Sequence, residues 1–167
     1  MKRCLTLALA AGLLSSCGYH LGGFKPTAMQ DMNTFCVEMF DNETVIPNVA
    51  VQMTTALTDA VQRDGTYTLA PRDRADFTIS GTVNNVVRNS LSNDYWDSYR
   101  SLEIGVNVHV TYVVTDNRTG KEIYRAVASG RCSHFNDEGN VQSAMDSALS
   151  FATRRAAEAV VNNIANR

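Results

Sequence analysis

The most constraining feature of this 167-residue chain is the alternation of apolar residues with other residues from Leu102 to Tyr112. Side chains along a β-strand point in turn to opposite faces of the sheet, so the pattern predicts a strand with one apolar and one wet face. The apolar positions are Leu102, Ile104, Val106, Val108, Val110 and Tyr112. A sheet built on this strand needs a covering layer on one side only.

Three other segments are predicted to be strands of the same sheet. They are Thr34–Phe40, Phe77–Val87 and Glu122–Cys132. In the first, the alternation turns Phe35, Val37 and Met39 toward the core. Gly81 in the second indicates a bulge or a close approach of neighbouring atoms. Residues 116–120, with the sequence Asp-Asn-Arg-Thr-Gly, predict a hairpin turn before the last strand.

Two helices are predicted, each with one apolar stripe. The first begins at Pro47 or Asn48 and ends at Gly65, a residue type that suits the left-handed conformation at a helix end. The second runs from about Val141 to Ile164, while Tyr67–Leu69 adds a short extended piece. The order β-α-β-β-β-α therefore predicts an α+β two-layer sandwich, with a four-stranded mixed sheet and both helices on one face.

The sheet face opposite the helices is predicted to be polar. Its residues are Thr78, Ser80, Thr82, Asn107, His109 and Thr111. Small polar side chains of this kind either contact water or bind a polar partner.

The first residues of the chain have the features of an export signal. Lys2 and Arg3 precede an apolar run, residues 5–14, that is too short to span a bilayer. The run ends in Leu-Ser-Ser-Cys and resembles the lipobox of bacterial lipoproteins, in which the cysteine, here Cys17, is diacylated and becomes the N-terminus. A plain secretory signal with an incidental cysteine is the alternative. The resemblance to bacterial lipoproteins also implies transport to the outer membrane, because Gly18 rather than Asp follows the cysteine.

These features divide the chain into three parts. Residues 1–16 are a signal peptide, residues 17–33 a lipidated tether and residues 34–167 a single domain. The tether is predicted because its residues lack periodicity and include glycines and a proline.

Composition and motifs argue against several classes of function. The chain has 15 Lys and Arg against 17 Asp and Glu, so it lacks the basic excess that nucleic-acid binding requires. It contains no phosphate-binding glycine loop, no G-x-S-x-G and no H-E-x-x-H motif. The spacing of its histidines and cysteines matches no zinc site. We therefore predict a protein that is not an enzyme, with no metal and no cofactor.

Four short motifs follow one another along the mature chain. They are Cys17-Gly18-Tyr19-His20-Leu21, then Phe40-Asp41-Asn42-Glu43-Thr44, then Ala75-Asp76-Phe77 with Gly81-Thr82-Val83, and finally the turn 116–120 with Lys121-Glu122-Ile123-Tyr124. In this order they resemble the LptE family of lipopolysaccharide-assembly lipoproteins. The resemblance implies a lipid-anchored protein on the periplasmic face of the outer membrane. It would plug the barrel LptD, support the assembly of that barrel and help to pass lipopolysaccharide to the outer leaflet.

The resemblance also implies candidate ligand contacts. Lipopolysaccharide contacts in the family come from basic loop residues, and here the predicted loop 88–101 offers Arg88 and Arg100. Acidic residues in the same loop weaken this assignment, and solvated surface charges are the alternative.

Barrel contacts are predicted in two places. Tyr95, Trp96 and Tyr99 in the same loop are candidate contacts for the barrel wall or an acyl chain, unless they fold back over the end of the sheet. Asn107 and Thr111 are candidate barrel contacts on the polar face.

Cys36 and Cys132 are the two cysteines available for a disulfide in an oxidising periplasm. Counting by twos from the inward-facing Phe35 and Ile123 places both on the polar face, if no bulge intervenes. A disulfide would also need neighbouring strands in register, and otherwise the two are ordinary small residues.

Other functional classes remain open. The run from Phe40 to Gly81, with F-x-N-x-T, a helix and A-D-x-x-x-x-G, also resembles periplasmic lipoproteins that activate a cell-wall synthase and lipoproteins of secretion pores. A glycan-binding enzyme accessory that uses Trp96 is a third option. The short tether favours the resemblance to the LptE family, because a short tether keeps the domain at the membrane.

Overall fold

A computed structural model describes residues 25–93, 101–135 and 140–166, with the backbone alone at 91–93 and 101–102. Its strands are β1 Thr34–Val37, β2 Asp41–Asn42, β3 Thr68–Leu69, β4 Phe77–Asn93, β5 Ser101–Asp116 and β6 Glu122–Phe135. Its helices are α1 Val49–Asp64 and α2 Val141–Ala165, preceded by a short 3-10 helix at Thr27–Met29. The predicted α+β class with two helices is confirmed, and the described sheet has six strands rather than four.

The sheet is mixed, as predicted. Its order is β3-β1-β4-β5-β6, and β2 pairs with β4 beyond the end of β1. The short strands β1, β2 and β3 run parallel to their neighbours, whereas β4, β5 and β6 form an antiparallel meander. The two strands that sequence reasoning did not count separately, β2 and β3, have only two residues each.

The apolar face of β5 forms the centre of the core. Its buried residues are Ile104, Val106, Val108, Val110, Tyr112 and Val114. Both helices pack on this face, α1 through residues such as Leu57 and α2 through residues such as Ala148, Ala152 and Ala156, which are fully buried. Because one helix layer covers one sheet face, the opposite face is left without cover by either helix.

The helix ends follow their local sequence. Helix α1 begins after Asn48, which takes a left-handed conformation with a φ of 62°, and ends at Gly65, with a φ of 75°. Both are residue types that tolerate this region of backbone space. Helix α2 begins after Asn140, whose side chain accepts a hydrogen bond of 3.1 Å from the backbone N–H of Ser143.

The predicted strand Thr34–Phe40 is too long, and its last inward residue is wrong. The strand ends at Val37, Met39 is 63% exposed and Phe40 is 2% exposed. The reason is that the chain leaves the sheet there, and the N–H of Phe40 donates to Oγ1 of Thr54 on α1 at 3.0 Å. The Phe40 ring then packs over Gly81, where a Cβ atom would lie 2.6 Å from the ring, so Gly81 is a site of close approach.

The packed part of the chain begins before the predicted boundary at residue 34. Met29 is fully buried and Met32 is 4% exposed, so both belong to the core. Nζ of Lys25 donates to the carbonyl oxygen of Met32 at 2.8 Å and to Oδ1 of Asn33 at 2.7 Å. Residues 25–33, which were predicted to be tether, therefore form part of the domain.

Helix α2 lies very close to the sheet at Gly130. A Cβ atom built on Gly130 would lie 2.1 Å from the carbonyl oxygen of Ala152 and 2.1 Å from the backbone nitrogen of Ala156. These are backbone atoms of a helix, so they cannot move aside as a flexible side chain would. Only glycine fits at this position without displacing α2 from β6.

We predict that Gly130→Ala destabilises the domain by about 1 to 3 kcal/mol, because the added methyl group overpacks the helix–sheet contact. The free energy of unfolding, measured by urea denaturation, checks this. Ser129→Ala is the matched control, since Ser129 is the exposed neighbour on the same strand. Equal stability of the two variants would contradict the close packing at Gly130.

Candidate functional site: the open face of the sheet

We call the sheet face opposite the helices the open face, and restrict the name to β4, β5 and β6. Its residues include Ser80, Thr82, Asn85, Asn107, His109, Thr111, Arg125, Val127, Ser129 and Arg131. They alternate with the buried positions of the three strands, so they are set by the same pattern that builds the core. Asn107 and Thr111 lie on this face, where the alternation of β5 places them.

A polar network crosses the open face at Thr111. Its Oγ1 donates to Oδ1 of Asn84 at 2.7 Å, and Nδ2 of Asn84 donates to Oε2 of Glu43 at 3.0 Å. Asn84 is the extra residue at a register shift between Val83 and Asn85. The bulge therefore supplies a side chain that links β5 to the segment after β2.

Asn107 carries an unsatisfied acceptor at the centre of this face. Its Nδ2 lies 2.9 Å from Nε2 of His109, while its Oδ1 is buried and has no hydrogen-bond partner among the described residues. A buried acceptor without a partner costs free energy, so this position carries a local cost to the fold.

Strand β6 contributes residues that sequence reasoning missed. Arg125, Val127, Ser129 and Arg131 lie opposite the open-face residues of β5, and Val127 is 69% exposed. The prediction had the two faces of β6 reversed because Ile123 is an extra residue at a register shift. The small residues Ala126, Ala128 and Gly130, which alternate with them, were the available signal, since small side chains suit a strand that lies directly beneath a helix.

The disulfide that the sequence left open between Cys36 and Cys132 does not form. Both cysteines are free, and the strands that carry them, β1 and β6, are separated by β4 and β5. Three strand spacings amount to about 14 Å, whereas a disulfide needs Cα atoms within about 7 Å. Cys36 pairs with Thr78 on the face opposite the core, whereas Cys132 pairs with the buried Val106 on the helix side, as the shift at Ile123 dictates.

Arg88 lies within β4 and not in the predicted loop, because β4 continues to Asn93. It pairs with the buried Val106, and its Nη1 lies 2.7 Å from Sδ of Met145 on α2, so its side chain is on the helix side of the sheet. The other predicted site residues, Cys17, Tyr95, Trp96, Tyr99 and Arg100, lie outside the described residues.

The Ala75-Asp76 motif fastens the start of the sheet. The Asp76 carboxylate accepts hydrogen bonds from the backbone N–H groups of Asn33 at 2.9 Å and Thr34 at 3.0 Å. The hydrogen bond from Asn33, followed by that from Thr34, holds the pKa of Asp76 below its usual range. Asn117 of the hairpin turn joins them, with its Nδ2 donating to the carbonyl oxygen of Ala75 at 2.8 Å. The motif therefore has a structural role in binding β1 and the turn to β4.

Among the described residues, no group of three or more His, Cys, Asp and Glu side chains is arranged to hold a metal ion. None of the helices in that part of the chain is both long and apolar enough to span a membrane.

The fold occurs in other bacterial proteins. The hypothetical protein CT253 from Chlamydia trachomatis is 11% identical with a TM-score of 0.57, over 81% of this chain and 96% of that one. PelC from Paraburkholderia phytofirmans, a dodecamer, is 15% identical with a TM-score of 0.53, over 86% and 95%. Rare lipoprotein B from Shewanella oneidensis is 14% identical with a TM-score of 0.51, over 80% and 95%. At these identities the likeness is one of fold, and no curated protein sequence matches the chain.

The sequence places the chain within one family. The model of a family described as LptE, lipopolysaccharide-assembly, matches residues 32–164. This match covers most of the chain, so the chain belongs to the LptE family. It is thus a lipoprotein of the LptE type, from a family of non-enzymatic lipoproteins of the bacterial envelope that works in lipopolysaccharide transport.

We predict that Asp76→Asn lowers the melting temperature at pH 7 by about 3 °C or more, because the amide is a weaker acceptor for the two backbone N–H groups. The folded-state pKa of Asp76 is depressed, so the stabilisation is present above about pH 4 and is lost as the pH falls through the lower folded-state pKa.

Thermal melts at pH 7 and at pH 2.5 check this, and the difference between wild type and variant should shrink at the lower pH. Asp73→Asn is the control, since Asp73 is exposed and its carboxylate lies 4.0 Å from Nε of the similarly exposed Arg74. A difference that is the same at both pH values would contradict the role of the carboxylate.

Proposed function

We propose that this chain is anchored to the periplasmic face of the outer membrane through a diacylated Cys17 and plugs an LptD-like barrel. In that position it supports the assembly of the barrel and assists the passage of lipopolysaccharide to the outer leaflet. The observation that carries the proposal is the open face, a long polar surface that neither helix covers, in a chain of the LptE family. The interior of a membrane barrel is polar, so a plug needs a polar contact surface.

The chemistry of the open face supports contact with a polar wall. Thr111 and Ser129 have short side chains, which allow the backbone of a partner to approach closely. The exposed edge of this surface is polar as well, since Asn84 and Glu43 join Thr111 in a hydrogen-bonded network. The exposed Val127 and the flanking Arg125 add an apolar and a charged contact on β6. A sheet face with polar, apolar and charged side chains is better suited to contact the wall of a barrel lumen than to form a substrate pocket.

Lipopolysaccharide contacts are proposed at the end of the sheet where β4 and β5 meet. Arg88 is the described candidate, with its guanidinium beside Met145 on the helix side. A cation next to an apolar side chain suits a ligand that joins a phosphate group to acyl chains. Arg100 remains part of this proposal. Tyr95, Trp96 and Tyr99 remain proposed contacts for the barrel wall or an acyl chain.

We predict that Cys17→Ala leaves the protein without acyl chains and extractable from membranes without detergent, because the acyl chains supply the stable anchor. Intact-mass measurement of the purified protein and membrane fractionation check this. Cys36→Ala, which changes a cysteine far from the N-terminus, is the control and should remain anchored. A wild-type protein that begins at another residue and carries no lipid would contradict the anchor.

We predict that the double variant Asn107→Lys, Thr111→Glu no longer copurifies with the barrel. A charge buried at an interface loses its hydration, and without a charged partner no new interaction offsets that loss. The melting temperature of the variant should stay within about 5 °C of wild type, since both positions lie outside the core. The measurement is copurification in detergent with the outer-membrane barrel.

The control is Gln52→Lys, Thr55→Glu, which places the same charges on the exposed surface of α1. The control should copurify normally. If the open-face variant also assembles normally, the open face is only a solvated surface. Copurification of the wild type with a cell-wall synthase instead would favour the alternative function.

A further inference from the structure

Strand β6 lies at an edge of the sheet and spans 14 residues, Glu122–Phe135. The outer side of an edge strand presents unpaired N–H and C=O groups, which can pair with a strand of another molecule. On the other side of the sheet, β3 and β2 have two residues each, and residues 84–93 of β4 extend beyond their pairing with β1 and β2 among the described residues. Strand β6 is the longer of these edges.

Two side chains of α2 reach over this edge. Nη1 of Arg155 donates to the carbonyl oxygen of Arg131 at 3.0 Å, and Nδ2 of Asn163 donates to the carbonyl oxygen of Val127 at 3.5 Å. Both acceptors belong to odd-numbered residues of β6, Val127 and Arg131, and the carbonyl groups of these residues point away from β5. The two bonds therefore occupy acceptors that an added strand would need.

The spacing of the two donors matches that of the two acceptors. Eight residues of a helix rise by about 12 Å, and four residues of a strand extend by about 13 Å. Helix α2 therefore runs back along β6 with a donor at each end of this interval. At the Arg155 end of this interval, the contact of Gly130 with Ala152 and Ala156 brings the helix backbone directly onto the strand. The same placement of α2 on β6 therefore packs the core and covers the edge of the strand.

We infer that Arg155 and Asn163 close the edge of β6 against strand pairing, and that the partner they exclude is a second copy of this chain. Two identical edge strands can pair in antiparallel fashion about a twofold axis, which is the commonest symmetry of homodimers. The strand also carries the exposed apolar residues Val127 and Phe135, which are 69% and 61% exposed and would add to such pairing. The closed β6 edge removes this route to a dimer and leaves the open face accessible.

The test uses the full lipidated chain in detergent. Arg155→Met with Asn163→Leu removes both donors while retaining side-chain volume. The control, Arg154→Met with Asn162→Leu, adds the same apolar groups at neighbouring exposed positions of α2. A second variant, Arg155→Ala with Asn163→Ala, removes the donors without adding apolar surface. Light scattering over a tenfold range of concentration gives the mass of the protein part, and circular dichroism melts verify folding.

We expect both donor-deleted variants to approach twice the monomer mass as concentration rises, while the wild type and the control remain monomeric. In these dimers, amide hydrogen exchange of the odd-numbered residues 125–133 should slow relative to the control. Folded donor-deleted variants that stay monomeric at every concentration would overturn the inference. A wild type that itself dimerises with slowed exchange in β6 would also overturn it, since the edge would then be open to pairing.

Discussion

Burial of one apolar sheet face beneath two helices is the constraint on which the rest of this structure depends. Strand β5 supplies the centre of that face, and residues such as Val108 and Tyr112 are fully buried. Removal of such side chains from water is the main favourable contribution to folding. Only α1 and α2 are available in the described chain to cover the face, so both must lie on one side.

The same constraint defines the functional surface. Strands alternate, so every buried residue of β5 is followed by one that faces away from the helices. Their neighbours on β4 and β6 extend the open face, and Gly130 lets α2 lie close enough to cover β6. The proposed role as a plug is compatible with this packing, because the helices occupy one face and leave the other uncovered.

Much of the fold could be predicted from the sequence because its signals are local. The alternation in β5, the helix end at Gly65 and the hairpin turn that closes at Gly120 each depend on a few adjacent residues, and all three were placed correctly. Asn107 and Thr111 were placed on the correct face for the same reason.

The predictions that were wrong concern positions where strand pairing or a long-range contact, rather than the local sequence pattern, decides which face a residue occupies. The extra residue at Ile123 reversed the faces of β6, which moved Cys132 to the helix side and hid the exposed Val127. The bulge at Asn84 brought a network onto the open face that no sequence pattern indicated. The burial of Phe40 in place of Met39 depends on a hydrogen bond to α1, a contact that joins distant parts of the chain.

The central claim is that the open face contacts the barrel, and site-specific photocrosslinking in intact cells tests it most directly. A photoreactive side chain at Val127 would lie on the open face, and one at Gln62 would lie on the exposed surface of α1. The account predicts a covalent adduct with the outer-membrane barrel from position 127 and none from position 62. An adduct from position 62 and none from position 127 would contradict it.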